Sequence, residues 1–341
     1  MPAPKKQKRP RKLTVAVTGP TGTFGHGLLP LLQADDRVDR IVGIARRPFD
    51  PAEHGWTKME YRQGDVRDQA ALEAAFADAD VVVHLAFMIT GTSDRETTRA
   101  INVDGTLNVF RAAAAAGADR FVYASSVAAY GFHQDNPVPM DESWPVRPAS
   151  RLFYAQEKAE LEQLLEEESA GHPEMALYLL RPPVVLGPNF VGGKELLPGP
   201  LAPLAAALVE RVRGLPFRLP APVPSLPLQL IHEADVGRAL LQCVLAAGPP
   251  GAYNIAADEV ITADEVAREL GLLAIAFPAG IAQTAARVVA AIPTPAFVPP
   301  ATEWVEAASH PAIMDTTKAK KELGWTPQFT ARETLRATID S

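Results

Sequence analysis

The chain is poor in cysteine, in long apolar stretches and in net positive charge. Cys243 is the single cysteine among 341 residues. No internal disulfide can form, and a reducing compartment such as the cytoplasm fits best. No window approaches the roughly 20 uninterrupted apolar residues that a membrane helix needs. Phe277–Pro300 comes nearest, and Gln283, Arg287 and several prolines interrupt it. The formal net charge is −7, which argues against a nucleic-acid partner. Basic side chains do gather in residues 1–12, as Lys5, Lys6, Lys8, Arg9, Arg11 and Lys12. That segment lacks the apolar centre of a signal peptide and reads as a solvated, flexible tail.

What is present begins with a strand and a glycine turn. Leu13–Thr18 is a short apolar, β-branched run, as a buried strand should be. Gly19, Gly22 and Gly25 follow, and an apolar helical stretch over Thr23–Gln33 comes directly after the turn begins. A tight turn at a strand end needs backbone angles that glycine accepts cheaply. The middle glycine lets a diphosphate approach the main chain, and the last lets helix pack on strand. The helix N-terminus then offers N–H groups and partial positive charge to a phosphate. Thr21, Thr23 and Phe24 complete this turn.

Short apolar runs then alternate with helical segments. Strands are expected at Asp39–Ala45, Met59–Gln63, Asp80–Leu85, Arg120–Ala124 and Ala176–Leu180, with helices through Asn102–Ala116 and Leu152–Ser169. This alternation predicts an α/β fold, a doubly wound parallel sheet of Rossmann type. The texture changes after Gly187, where prolines accumulate and a helix is expected near Leu201–Val212. The domain reading is a dinucleotide-binding domain over 13–187, to which 228–256 returns. A smaller, mostly helical C-terminal substrate lobe takes 188–227 and 257–341.

The end of the second strand carries Arg46 and Arg47 where a dinucleotide site holds the adenosine ribose. An acid there suits the 2′-hydroxyl of NAD, and an arginine suits the 2′-phosphate of NADP. The arginines favour NADP over NAD, unless they are only solvated loop residues. Asp65, followed by Val66, stands after the third strand and either accepts the adenine amino group or caps a turn.

Tyr154 and Lys158 lie at i and i+4, on one helix face. A phenol loses its proton at about pH 10. A neighbouring ammonium stabilises the phenolate, so the pair is expected to give an acid/base usable at neutral pH. Ser126 ends the fifth strand, where a hydroxyl could meet a substrate carbonyl.

From Leu13 to Pro327 the chain resembles the extended short-chain dehydrogenase/reductases, the NAD-dependent epimerase/dehydratase type. The likeness rests on Thr18-Gly19-Pro20-Thr21-Gly22-Thr23-Phe24-Gly25, His84-Leu85-Ala86, Asn102-Val103-Asp104-Gly105-Thr106 and Ser125–Gly131. It continues through Tyr154 and Lys158, Leu180–Pro188, Ile231–Val236, Tyr253-Asn254-Ile255 and Asp315–Lys318 with Glu322–Trp325. The resemblance implies that Tyr154 is the general acid/base and that Lys158 holds the nicotinamide ribose. It also implies that Ser126, four residues before Tyr130-Gly131, binds the reacting oxygen. Leu85, Ala86, Phe87 and Asn102 become cofactor neighbours, and Pro183 and Val184 backbone contacts at the nicotinamide end. His232 looks structural. The helices around Asn102–Ala115 and Leu152–Leu165, with Val103, Leu107, Phe110, Leu161, Leu164 and Leu165, are expected to pair in a homodimer.

The departures bear on the substrate. Nucleotide-sugar members carry arginines where this chain has Leu228 and, before Asp315, no arginine from Ala301 to Ile313. Such arginines clamp a diphosphate. Dehydratases place an acid pair where Val127-Ala128 stands. The second lobe is apolar at Leu215-Pro216-Phe217, Leu226-Pro227-Leu228, Phe277, Ile281, Val288 and Phe297, which serve either its core or a hydrophobic substrate. The expectation is an NAD(P)-dependent oxidoreductase moving a hydride between nicotinamide and the carbonyl or secondary alcohol of an apolar small molecule. The alternatives are an NAD-dependent nucleotide-sugar epimerase or dehydratase, and a non-catalytic dinucleotide sensor. No metal site, nucleic-acid partner or membrane partner is expected.

Overall fold

In the computed structural model, residues 12–89, 94–150, 152–190, 218–277 and 310–340 are described. Leu13–Thr18 forms β1, and its side chains alternate as a strand with two covered faces requires. Val15 and Val17 enter one core with Leu28, Leu29, Leu32 and Ile231. Ala16 enters the other with Val42, Phe76, Val82, Phe110 and Phe121.

Around β1 the chain lays down β2 (Val38–Ala45), β3 (Met59–Gln63), β4 (Val81–His84), β5 (Arg120–Ala124) and β6 (Ala176–Arg181). β7 (Val184–Leu186), β8 (Pro220–Pro224), β9 (Pro227–His232), β10 (Gly251–Asn254), β11 (Val260–Thr262) and β12 (Leu273–Phe277) follow. Seven strands make one sheet in the order β10-β6-β5-β4-β1-β2-β3, and every neighbouring pair in it is parallel. The strand order reverses between β1 and β4. In doubly wound sheets the crevice beyond the strand C-termini at that switch point takes the ligand.

Helices cover both faces. They are α1 (Thr23–Ala34), α2 (Gln69–Phe76), α3 (Arg95–Arg99), α4 (Gly105–Ala115), α5 (Phe153–Ala170) and α6 (Glu233–Val244). α1 and α6 meet through two glycines. A methyl at Gly27 would lie 2.1 Å from the Glu233 carbonyl oxygen, and one at Gly237 would lie 2.0 Å from the Gly27 carbonyl oxygen. Only glycine lets these backbones approach so closely. The helix expected to run unbroken from Asn102 instead opens with a π-helical turn over Ala100–Asp104, from which α4 continues.

Of the returning segment, α6 packs on α1 and β10 extends the main sheet beside β6. β9 joins a separate three-stranded sheet with β7 and β11. The C-terminal lobe adds α7 (Ala263–Glu269), α8 (Thr317–Glu322), α9 (Ala331–Ile339) and the parallel pair β8–β12. Buried Asp235 fastens this end to α6, accepting from the backbone N–H of Gln328 (2.9 Å) and Phe329 (3.1 Å). The helix expected near Leu201–Val212, and Leu215, Pro216, Phe217, Ile281, Val288 and Phe297, fall outside the described residues. Among the described residues, no helix is long and apolar enough to cross a membrane.

Candidate active site

The glycine turn closes β1 onto α1. Gly19 has φ +68°, and a methyl there would lie 2.7 Å from the Ala86 backbone nitrogen. A methyl at Gly25 would lie 2.0 Å from the Pro20 carbonyl oxygen. Gly22 is the N-cap of α1 and brings no side-chain cap to it. Its own Cβ position meets nothing nearer than the Gly19 oxygen at 3.5 Å. Thr21, Thr23 and Phe24 are half-buried around the turn.

The adenosine-end candidates stand at the next two strand ends. Arg46 is exposed just beyond β2, its carbonyl held by the Gln63 amide at 2.9 Å. Asp65 caps a turn, accepting from the Arg67 backbone at 3.0 Å, and pairs with both arms of that guanidinium at 3.0 and 2.7 Å. Arg67, and more weakly Arg46, hold its carboxyl below the usual carboxylate range. Val66 is buried against Gly105. A cavity of about 410 Å³ lies nearby, lined by Phe49, Asp50, Trp56, Met59 and Tyr61, and includes none of the expected site residues.

Ser126, Tyr154 and Lys158 come together from two elements. Ser126 lies two residues beyond β5 and caps the short 3-10 turn Val127–Tyr130, its hydroxyl accepting from Ala128 N–H at 3.1 Å. The same hydroxyl lies close enough to the Tyr154 phenol to favour its ionised form. The Lys158 ammonium is buried, donating to the Tyr123 hydroxyl at 3.0 Å and the Ala124 carbonyl at 2.6 Å. Phe87, from the loop after β4, lies across the pair. Its ring centre is 3.7 Å from Lys158 Nζ and 5.6 Å from the Tyr154 ring centre, edge to face. Lys158 Nζ is 5.9 Å from the Tyr154 ring centre.

The expected drop in the Tyr154 pKa is not found. Burial pushes the phenol up to about 12, and the Ser126 hydroxyl only partly opposes it. Burial draws Lys158 down to about 7, while Glu162 and Glu157 work to keep it charged. The cost of desolvating each charge exceeds the benefit the pair gains in this geometry.

Asn102 sits on the π-helical turn and reaches two ways. Its amide exchanges hydrogen bonds with both main-chain groups of Met88 (2.8 and 2.9 Å) and donates to Glu157 Oε2 at 2.7 Å. Pro183 is buried, and Val184, the first residue of β7, is 54% exposed. The Pro182 carbonyl accepts from Val127 N–H at 2.9 Å and ties the end of β6 to the Ser126 turn. His232 is structural in its contacts. It caps α6 through Nδ1 and stacks on Phe329 with ring centres 4.0 Å apart.

Sequence reasoning missed the polar scaffold beneath these groups. Arg181 donates to Glu162 through Nε and Nη2 and to the Tyr130 hydroxyl at 2.6 Å. Ser125 donates to the same Glu162. Tyr130 continues to Asn254 at 3.0 Å. His84 is wholly buried between Thr18 and Thr106 and stays neutral, its pKa lowered to about 3 by burial. The sequence signal for the ion pair was faint: an acid four residues past Lys158 and an arginine at a strand end. Among the described residues no cluster of His, Cys, Asp or Glu could hold a metal.

A parallel doubly wound sheet with an uncapped glycine turn at its switch point defines a dinucleotide-binding α/β protein. The chain belongs to the NAD dependent epimerase/dehydratase family, whose sequence model matches residues 15–256, and it is an enzyme of that family. It is 25% identical over 335 residues to the uncharacterized protein y4nG of Sinorhizobium fredii, covering 96% of this chain and 78% of that one. It is 30% identical over 264 residues to Rv2047c of Mycobacterium tuberculosis, 76% of this chain but 23% of that protein. Over 175 residues it is 38% identical to the N-acetyl-alpha-D-glucosaminyl-diphospho-ditrans,octacis-undecaprenol 4-epimerase of Escherichia coli, 51% of this chain and 49% of that one. The fold matches UDP-glucose 4-epimerase of Thermotoga maritima with UDP-glucose (TM-score 0.72, 19% identity, 96% and 98% covered). It also matches that of Thermus thermophilus in complex with NAD (0.68, 24%, 96% and 98%).

The residues present fit a dinucleotide. Gly22 leaves open space before α1, that helix has no side-chain cap, and Gly19 brings the turn against the end of β4.

Proposed function

We propose that Tyr154 moves a proton on and off a substrate hydroxyl, with Ser126 holding the same oxygen and Lys158 holding the nicotinamide ribose behind the phenol. The observation that carries this is the meeting of the three side chains at the C-terminal edge of the sheet. Bound NAD supplies the hydride acceptor for the carbon that bears that hydroxyl. Gly19, Thr21, Gly22, Thr23, Phe24 and Gly25 would hold its diphosphate. Arg46, Asp65 and Val66 would hold the adenosine. Leu85, Ala86, Phe87, Asn102, Tyr154, Lys158, Pro183 and Val184 would surround the nicotinamide end. Exposed Arg46 favours NADP where both dinucleotides compete.

The substrate reading follows the relatives. The Escherichia coli protein is by name a 4-epimerase of a sugar diphosphate on a polyprenol, and the Thermotoga enzyme holds UDP-glucose. We read this enzyme as an epimerase acting on a sugar diphosphate, with no net oxidation, since Val127-Ala128 stands where dehydratases carry their acid pair. Leu228, in the place of a phosphate-clamping arginine, and the exposed apolar Ile89 and Val184 favour a less polar carrier than a nucleotide. The same two observations support a second reading, net oxidation or reduction of an apolar alcohol or carbonyl.

Dinucleotide-loaded protein is to be incubated with UDP-glucose, UDP-N-acetylglucosamine, polyprenyl-diphospho-N-acetylglucosamine and a set of apolar secondary alcohols. An epimeric sugar without NADH accumulation supports the first reading. NADH rising in step with an apolar ketone replaces it with the second. Binding without turnover on every compound removes the enzyme reading of Tyr154.

A further inference from the structure

Glu157 lies inside the Tyr154–Lys158 segment, and neither the turn chemistry nor the acid/base chemistry uses it. The residue is 1% exposed. Its Oε2 accepts from Asn102 Nδ2 at 2.7 Å, and its Oε1 is buried without a hydrogen-bond partner. Burying a carboxyl with one oxygen unsatisfied is costly, and burial raises its pKa accordingly.

The far side of Asn102 shows what this carboxyl supports. The amide oxygen accepts from Met88 N–H at 2.8 Å, and the amide nitrogen donates to the Met88 carbonyl at 2.9 Å. A side-chain amide that grips both main-chain groups of one residue mimics a strand partner, and it fixes the loop that leaves β4. With Oε2 accepting from Nδ2, that amide is held with its nitrogen toward Glu157. Phe87, one residue before Met88, carries its ring from this loop to 3.7 Å from Lys158 Nζ and edge-on to Tyr154. The π-helical turn over Ala100–Asp104 places Asn102 for this bridge.

We propose that Glu157 is a positioning residue: through Asn102 it fixes the loop after β4, and that loop holds the Phe87 ring against Lys158 and Tyr154. The inference rests on the roles given above to Tyr154 and Lys158, but its first test needs neither substrate nor cofactor. Hydrogen exchange of the Met88 amide reads the Asn102 contact directly in the free protein. Glu157→Ala should speed that exchange by about tenfold, and Glu157→Gln, which keeps an acceptor for Asn102, should stay within about threefold of the parent.

The second test is a double-mutant cycle on NAD affinity. Glu157→Ala should weaken NAD by about tenfold in the parent and by less than about twofold in a Phe87→Ala background, because the ring it places is gone. Equal effects in both backgrounds, or unchanged Met88 exchange in Glu157→Ala, overturn the proposal. Equal damage from Gln and Ala at position 157 overturns it too. If Glu157→Ala does not fold, Glu157→Asp withdraws the carboxyl by one methylene and is read by the same exchange. A parent protein that binds neither NAD nor NADP sinks the functional reading above, while Met88 exchange still decides this one.

Discussion

Lys158 Nζ stands 3.7 Å from the centre of the Phe87 ring, and its two oxygen acceptors come from β5. The ammonium is thus enclosed by an aromatic face, a phenol and a carbonyl. His84 below it is neutral, and the nearby carboxylates are Glu157 and Glu162, the second shared with Arg181. Burial therefore holds the Lys158 pKa near 7 against an ordinary 10.5. Between those values the unfolded chain carries a proton that the folded chain does not. Stability from this group consequently rises as pH climbs from 7 toward 10.5, by up to about 1.4 kcal/mol per pH unit. Urea unfolding at pH 7, 8 and 9 should show that slope in the parent and lose it in Lys158→Met. Identical slopes would place the titration elsewhere.

The Glu162–Arg181 pair is the second stability prediction. Both side chains are buried, at 3% and 5% exposure, and the carboxylate takes the guanidinium through Nε and Nη2. Removing one partner leaves a charge uncompensated in the core. Glu162→Gln should cost about 3–5 kcal/mol in urea unfolding, far more than an exposed pair. Arg99→Gln, which breaks the half-exposed pair with Glu160, should cost under about 1 kcal/mol. Equal costs would contradict the assignment of Glu162 to the scaffold.

Much of this architecture was legible in the chain. Short β-branched runs gave the strands, because a buried parallel strand has no polar face to confuse its pattern. The glycine spacing gave the turn, because Gly19 and Gly25 are sites where a Cβ would strike backbone. Ser126, Tyr154 and Lys158 were placed by motif spacing, and they do meet. The Tyr154 pKa was misjudged because spacing shows the ammonium but not the burial, and burial dominates. Glu157 was overlooked because a glutamate on a helix reads as solvated until the neighbouring turn is seen to cover it. The Gly27–Gly237 contact joins residues far apart in sequence, which no local pattern signals. Four of the six apolar residues expected at a dimer face, Val103, Phe110, Leu161 and Leu165, are buried in the subunit's own core.

Leu107 and Leu164 stay half-buried on α4 and α5, so the dimer expectation now rests on a narrower face. Light scattering at micromolar concentration should give twice the chain mass, and Leu164→Glu should return it to the monomer. A parent protein of single-chain mass would end the proposal.

Dinucleotide choice is tested at the end of β2. Arg46→Ala should weaken NADP by about tenfold and NAD by less than about twofold, because an arginine suits the 2′-phosphate and not the hydroxyl. Fluorescence titration with each cofactor decides it. Equal losses would leave Arg46 a solvated loop residue.

Tyr154→Phe removes one oxygen atom and leaves the glycine turn, Phe87 and Lys158 in place. In whichever turnover the parent shows on the sugar diphosphates or apolar alcohols, this variant should be slower by about 10³-fold, with NAD affinity within about threefold. Undiminished turnover in Tyr154→Phe would contradict the account at its centre.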